Sequence, residues 1–273
     1  MKLGFMTWAC PDWTLDEILA KGKRYGYDCV EPRVEAKHKH GLELDTSPEM
    51  LERGAERLRS GGMEIPCIAT SCTFVHEKPA ERERNVRTLA RYVEMAAIMR
   101  VRYLRVFGGA IPQGVAVQDA VKMVVDSLQE VAPKAQKSGV RILLETHDDF
   151  RFSDRAKAVI EQVRSPAVRI LWDYAHPFNA GEAIEQTARN IIAYTLHIHV
   201  HEFTCVDGKW VFLPLGSGHI PHAEVVRLLH HSAFTGCLSV EWIGENKPDE
   251  VLPQHAAKLR EYLLELTQRS PNR

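Results

Sequence analysis

Residues 195–201 read TLHIHVH, and the alternation in this stretch decides how the chain folds around it. Side chains of a β-strand point alternately to its two faces. Three apolar residues therefore share one face and three histidines share the other: Leu196, Ile198 and Val200 against His197, His199 and His201. The apolar face must pack on helices, which turns the histidines toward the axis of a barrel. Buried polar groups need partners, so the pattern predicts a polar cluster inside the barrel.

Seven other short segments, rich in β-branched or aromatic residues, are typical of strands. They are residues 2–7, 27–31, 63–70, 102–107, 140–145, 168–173 and 236–242. Helical patterns separate the strands, at residues 48–60, 80–99, 115–137, 153–164, 181–193, 221–231 and 249–268. A first helix begins after Thr14, which forms a capping-box pattern with Glu17. Residues 202–214 carry Asp207-Gly208 between hydrophobic segments and are typical of a β-hairpin.

Eight strand–helix units in succession predict a mainly parallel sheet, and their number matches a closed (β/α)8 TIM barrel. We expect one domain over residues 1–273, with residues 249–273 as a closing helix and tail. A doubly wound open sheet is the alternative, but no G-x-G-x-x-G follows the first strand.

Composition narrows the class of protein. The 35 basic and 36 acidic residues give a net charge of −1, without the basic excess of a dedicated nucleic-acid binder. No stretch approaches the ~20 apolar residues of a membrane span, and the N-terminus does not resemble a signal peptide. The six dispersed cysteines form no Cys-x-x-Cys pair, which favours reduced thiols. We therefore expect a cytoplasmic protein without nucleic-acid or membrane partners.

Three predicted strands end in a carboxylate, and these strands flank or neighbour the histidine strand. The residues are Glu145, Asp173 and Glu241, which join His199. Each alone is more often a solvated or ion-paired group than a ligand. Together they converge on one rim, where three carboxylates would raise each other's pKa unless a cation held them. The mixed oxygen and imidazole donors suit one divalent metal ion: Mn, Mg, Co or Zn.

Five motifs carry a resemblance to a known family. They are LLETH at 143–147, LWDYAH at 171–176, HIHVHE at 197–202, LGSGHI at 215–220 and LSVEW at 238–242. In order and spacing the chain resembles the sugar phosphate isomerase/epimerase family with a xylose isomerase-like barrel. That group includes tagatose-type 3-epimerases, hydroxypyruvate isomerases and inosose dehydratases, and is distantly related to endonuclease IV. The resemblance covers essentially the whole chain.

The resemblance implies roles for particular residues. The family's metal ligands fall on Glu145, Asp173, His199 and Glu241, and its two proton-transferring glutamates fall on Glu145 and Glu241. Substrate contacts are implied on the same rim for His176, Arg105, His147, Glu31 and His201. Two positions depart from the family pattern, because Ser217 stands where glutamate is common and His201 where lysine is frequent. For Arg105 and Glu31, a structural ion pair is an equal alternative.

The implied activity is isomerisation or epimerisation of a sugar, sugar phosphate or keto-polyol, by proton transfer next to a carbonyl through a metal-stabilised enediolate. The partner is then a small carbohydrate, and homo-oligomers are common among similar proteins. A dehydratase of an inosose or dehydroshikimate-like keto-polyol is the alternative on the same scaffold, and a non-enzymatic sugar-binding barrel is a third reading. An endonuclease IV-like nuclease is remote, because strands three and four end in Ala69-Thr70-Ser71 and Phe107-Gly108-Gly109, without the extra histidine ligands.

Overall fold

The computed structural model describes residues 1–207 and 209–268, and its strands follow the predicted order. Eight strands form the barrel: β1 (Lys2–Met6), β2 (Cys29–Glu31), β3 (Cys67–Ala69), β4 (Tyr103–Val106), β5 (Arg141–Glu145), β6 (Val168–Asp173), β7 (Thr195–Val200) and β10 (Cys237–Val240). The predicted hairpin is confirmed as the antiparallel pair β8 (Glu202–Val206) and β9 (Lys209–Leu213). The helices are α1 (Leu15–Tyr25), α2 (Pro48–Ser60), α3 (Pro79–Ile98), α4 (Val117–Lys137), α5 (Ser153–Val163), α6 (Ala175–Asn179), α7 (Ile184–Ile191), α8 (His222–His231) and α9 (Pro248–Gln268).

The eight parallel strands lie in the order β2-β1-β10-β7-β6-β5-β4-β3. Backbone hydrogen bonds also join β2 to the segment around β3, from Val30 N to Glu64 O and from Ala69 N to Pro32 O, both at 2.9 Å. The sheet therefore curls into a nearly closed barrel, which confirms the predicted (β/α)8 fold. The third strand is shorter than the predicted residues 63–70, because Pro66 has no N–H to donate and regular pairing begins only after it.

The region between β6 and β7 differs from the prediction of one helix at residues 181–193. It contains the short helix α6, then α7, then a single 3-10 turn at Ile192–Tyr194. Gly181 adopts a left-handed conformation with φ of +90°, which separates α6 from α7. The early helix α6 matters for the site because it brings His176 back over the end of β6.

The last helix completes the ring around the barrel. α9 packs between α8 and α1, and its first turns are held by Lys21 Nζ, 2.8 Å from Asp249 Oδ2, and by the Tyr27 hydroxyl, which donates to Leu252 O at 2.8 Å. The predicted closing segment at 249–268 thus corresponds to α9, while the predicted tail at 269–273 lies outside the described residues. Among the helices of the described chain, none is long and apolar enough to cross a bilayer.

The two faces of β7 have the predicted environments. Ile198 and Val200 are buried in the hydrophobic core, and Leu196 is half-buried. His197, His199 and His201 are buried as well, inside the barrel and among polar groups. The alternation therefore places an apolar layer outside the strand and a histidine ladder inside it.

Replacing Ile198 by alanine tests this assignment of faces. We expect Ile198→Ala to lower the free energy of unfolding by about 2–5 kcal/mol, because it leaves a cavity in a packed layer. Urea denaturation measures the loss. As a control, Val211→Ala, at an exposed position of the hairpin, is expected to change stability by less than about 0.5 kcal/mol. A comparable loss in the two variants would contradict the assignment.

Candidate metal centre

Four neighbouring strands deliver one polar residue each to the same end of the barrel. Glu145 and Asp173 are the last residues of β5 and β6, His199 is the penultimate residue of β7, and Glu241 follows β10 directly. These strands are adjacent and parallel, so their carboxyl ends meet. Each residue offers a ligand atom, and the four atoms lie within 4.8 Å of one another.

This spacing fits a single divalent ion. Metal–oxygen and metal–nitrogen bonds of about 2.0–2.2 Å place ligand atoms on opposite sides of an ion about 4.4 Å apart at most. The four ligand atoms would therefore need to move only slightly closer together to bind the ion. His199 Nδ1 lies 2.8 Å from Glu145 Oε1 and 3.3 Å from Glu241 Oε2. Asp173 Oδ2 is buried and takes part in no regular hydrogen bond among the described residues. The donor set and this buried carboxylate oxygen both suit a cation.

The other nitrogen of His199 faces Glu31, which comes from the opposite side of the barrel. His199 Nε2 lies 3.2 Å from both Glu31 carboxylate oxygens. Glu31 also pairs with His197 Nε2 at 2.8 Å and accepts a hydrogen bond from Ser239 Oγ at 2.7 Å. A carboxylate at Nε2 fixes the ring so that Nδ1 faces the three acidic ligand candidates.

Arg105 places a guanidinium group inside the barrel. Its Nη1 donates to Glu145 Oε2 at 2.9 Å, and its guanidinium lies 4.0 Å from the centre of the Phe107 ring. Both Arg105 and Glu31 are buried, and neither is among the residues that line the adjacent cavity. In this structure both residues form buried ion pairs, Arg105 with Glu145 and Glu31 with His197. A direct contact of either residue with substrate stays a prediction.

Burial and nearby cations have opposite effects on the carboxyl groups of the cluster. These groups belong to Glu31, Glu145, Asp173 and Glu241. Burial works to raise each pKa, but neighbouring histidines, and Arg105 beside Glu145, hold all four below their ordinary values. All four carboxyl groups are therefore ionised near neutral pH.

His199 shows the opposite shift. Burial lowers the pKa of its imidazole, but Glu31 and Glu145 on either side raise it well above the ordinary value. Without a metal, protons on histidines thus balance much of the acidic charge. A divalent cation could take over this role, because it would satisfy the same carboxylates and displace the proton from Nδ1.

A cavity of about 480 Å³ opens directly above the cluster. Glu241 reaches it from the metal-ligand candidates, and three residues predicted to contact substrate line it too: His147, His176 and His201. The rings of His147 and His176 lie 4.3 Å apart, and His201 Nε2 lies 2.8 Å from Asp173 Oδ2. His201 therefore supports Asp173 from the cavity side, much as Glu31 supports His199 from within.

Two further groups of residues have spacing that a metal could use. Glu31, Cys67 and His197 lie deep in the barrel, and Asp173, His176 and His201 border the cavity. In the first group the Glu31–His197 pair already satisfies the carboxylate. The second group shares Asp173 with the main cluster, so it belongs to the same centre.

Sequence reasoning missed several residues that shape the site. Ser239 and His197 were not assigned, although both contact Glu31. The cavity wall formed by Phe203, Trp210 and Phe212 was also missed. The aromatic residues at alternate positions of the predicted hairpin were the available signal, because alternation puts them on one face.

Fold and site together define a class: a parallel (β/α)8 barrel with a buried carboxylate–histidine cluster, suited to a divalent metal, at the carboxyl ends of its strands. The chain belongs to the xylose isomerase-like TIM barrel family, which it matches over residues 19–262. The resemblance noted in the sequence is thereby confirmed. No curated protein matches the sequence.

Solved structures share the fold over almost their whole length. The chain is similar to the IolI protein with a binding zinc atom, at 19% identity and a TM-score of 0.84, covering 97% of this chain and 99% of that one. It is similar to a D-tagatose 3-epimerase-like protein at 21% identity and a TM-score of 0.78, covering 98% of this chain and 99% of that one. It is also similar to the probable 3-DHS dehydratase AsbF from Bacillus anthracis, at 17% identity and a TM-score of 0.79, covering 95% of this chain and 99% of that one. At these identities the likeness establishes the fold alone.

Proposed function

We propose that this chain is a metal-dependent isomerase or epimerase, which moves a proton next to the carbonyl group of a small carbohydrate. The observation that carries the proposal is the convergence of Glu145 and Glu241 with Asp173 and His199 next to a cavity that Glu241 lines. A cluster that served only stability would not need four ligand groups at the carboxyl ends of the strands, where barrel enzymes have their active sites.

Glu145, Asp173, His199 and Glu241 would hold the ion. When bound, it would polarise the substrate carbonyl and make the neighbouring C–H acidic. The zinc-bound IolI structure supports metal binding on this scaffold, and the epimerase name of the D-tagatose 3-epimerase-like protein supports the reaction class.

Glu241 and Glu145 have different surroundings, and we assign them different roles in proton transfer on that basis. Glu241 lines the cavity and its side chain is 12% exposed, whereas Glu145 is fully enclosed and paired with Arg105. Glu241 therefore reaches the substrate first as a proton acceptor. Glu145 lies on β5, and we assign it the delivery of a proton to the substrate carbon: this carboxylate, ionised at rest, first takes up a proton from solvent, and Glu241 afterwards releases to solvent the proton that it accepted.

The histidines of the cavity orient the substrate. Burial lowers the pKa of His176 to about 4, although Asp173 beside it works the other way, so its ring is neutral near pH 7. A neutral imidazole offers one donor and one acceptor, which suits sugar hydroxyl groups. His147 lies against the ring of His176 on the same wall.

A dehydratase is the second candidate function. Burial works to lower the pKa of His147, but its contact with Asp148 at 2.9 Å raises the pKa above the ordinary value. A protonated His147 in the cavity could donate to a leaving hydroxyl group. Such a reaction would produce an enone, whose ultraviolet absorbance distinguishes it from isomerisation.

Proton exchange with solvent tests the assigned roles of the two glutamates. We expect the metal-supplemented protein to incorporate deuterium from D2O next to the carbonyl of an accepted ketose, followed by proton NMR. Glu241→Gln and Glu145→Gln are each expected to reduce the exchange rate by about 10²–10⁴-fold, because each removes a group that transfers the proton.

The control is Glu245→Gln, an exposed carboxylate four positions beyond Glu241, and it is expected to leave exchange unchanged. Metal content is measured in every variant, so that loss of the ion is separated from loss of the proton acceptor. Full exchange in Glu241→Gln or Glu145→Gln would refute the role of that residue.

Metal binding should release a proton near pH 7. The pKa of His199 is raised in the metal-free protein, so its ring carries two protons, and Nδ1 must lose one to bind a metal. Affinity is therefore expected to rise with pH until pH passes the His199 pKa. Calorimetry with Mn²⁺ or Zn²⁺ in buffers of different ionisation enthalpy measures the number of protons released.

Glu31→Gln provides the contrast. It removes one of the carboxylates that raise the His199 pKa, so we expect fewer protons released and an affinity about 10–100-fold weaker. Glu64→Gln, at an exposed pair with Lys2, is the matched control. If Glu31→Gln binds metal with unchanged affinity and proton release, Glu31 does not orient His199.

A further inference from the structure

The cavity above the cluster extends well beyond its polar floor. Its inner end is formed by Glu241 and the cavity histidines, and its outer end by the hairpin and the residues opposite it. A volume of about 480 Å³ falls within the range of about 300–1,000 Å³ found for pockets that take drug-sized ligands. A single sugar ring placed at the floor leaves the outer end free for a substituent.

Three aromatic residues form one side of this outer end. We call Phe203, Trp210 and Phe212 the aromatic wall. In the hairpin, Phe203 pairs with Phe212 and Cys205 with Trp210. Paired residues and alternate residues share a face, so the three rings point to the same side. Phe203 lies 4.8 Å from Trp210 and 5.8 Å from Phe212, measured between ring centres.

The aromatic wall is continuous with the catalytic floor. The Phe203 ring lies 4.8 Å from the ring of His201 and 5.3 Å from that of His176. Farther out, Trp210 is 59% exposed and Ile243 is 45% exposed, although both line the cavity. Large apolar groups left exposed at a cavity mouth mark a surface that a ligand covers.

Buried contacts hold the base of the hairpin in place. The first residue of β8, Glu202, accepts a hydrogen bond from His222 Nε2 at 2.8 Å, and His222 Nδ1 lies 2.6 Å from the Tyr174 hydroxyl. All three side chains are buried. The aromatic wall is thus attached to the barrel through the base of its hairpin.

The charges at the outer end disfavour a phosphate group. Among the described residues that line the cavity, Arg151 carries the one guanidinium or ammonium group. It lies 3.8 Å from Asp149 Oδ1 and donates to Asp148 O at 2.6 Å, and the acidic residue Asp148 lines the cavity beside it. Phosphate sites use uncompensated arginine or exposed backbone N–H groups. The outer end therefore suits a neutral unit that has an apolar face and hydroxyl groups.

We propose that the aromatic wall is a subsite for a second, uncharged sugar ring, so that the substrate is a keto sugar joined to another ring by a glycosidic bond. One ring would lie at the floor beside Glu241, and the C–H face of the other would stack on Trp210 and Phe212. This inference rests on the proposed function, because it assigns the floor to the reacting sugar.

Calorimetric binding to the metal-supplemented protein tests the subsite directly. The probes are fructose, fructose 6-phosphate, and the glucosyl-fructoses maltulose and isomaltulose. We expect at least one glucosyl-fructose to bind about tenfold more tightly than fructose, since one stacked ring contributes about that much. Trp210→Ala is expected to remove this preference while leaving the affinity for fructose unchanged.

Val211→Ala is the matched control, because Val211 lies next to Trp210 but on the opposite face of the hairpin. Phe212→Leu is a second variant, and thermal unfolding verifies that each protein is folded. The subsite would be overturned if all sugars bound with equal affinity, or if Trp210→Ala weakened the binding of fructose and of the glucosyl-fructose equally. It would also be overturned if fructose 6-phosphate bound more tightly than the glucosyl-fructoses. Absence of glucosyl-fructose binding would overturn it too, and deuterium exchange with free ketoses then shows separately whether the proposed function stands.

Discussion

The structure depends on one constraint: His199 is buried between carboxylates on both sides of its ring. Glu31 faces Nε2, while Glu145 and Glu241 face Nδ1. Buried charges at this density are stable only when each has a partner. The strand order supplies those partners. β7 lies between β6 and β10, and β2 and β5 belong to the same barrel, so that their side chains meet His199 in its interior. The same strand arrangement therefore forms the barrel and pairs the buried charges of the site.

Local pattern was enough to predict the architecture and the main cluster. The alternation in TLHIHVH predicted which face of β7 points inward. The acidic residues at the ends of β5, β6 and β10 indicated the ligand candidates. These inferences use only strand periodicity and the rule that barrel sites lie at carboxyl ends. Strand β3 and the helix before β7 were predicted too long, because a proline and a left-handed glycine interrupt segments whose apolar pattern continues.

The partners of the cluster could not be predicted in the same way. Glu31 and His197 are 166 residues apart in sequence, and their contact exists only because the barrel curls until β2 lies across from β7. The pairing of Arg105 with Glu145 equally depends on the neighbouring positions of β4 and β5. The hairpin was predicted, but neither the position of its aromatic face against the cavity nor the buried contact of Glu202 with His222 at its base was. Such long-range contacts leave no periodic signal.

The barrel strands and the loops have separate roles. Strand ends hold the charged cluster rigidly, and the hairpin and α6 shape what enters above it. Anomalous diffraction from crystals grown with Mn²⁺ shows whether the cluster binds a metal through Nδ1 of His199. We expect one strong anomalous peak bounded by Glu145, Asp173, His199 Nδ1 and Glu241. Peaks only elsewhere, or none in Mn²⁺-saturated crystals, would contradict it.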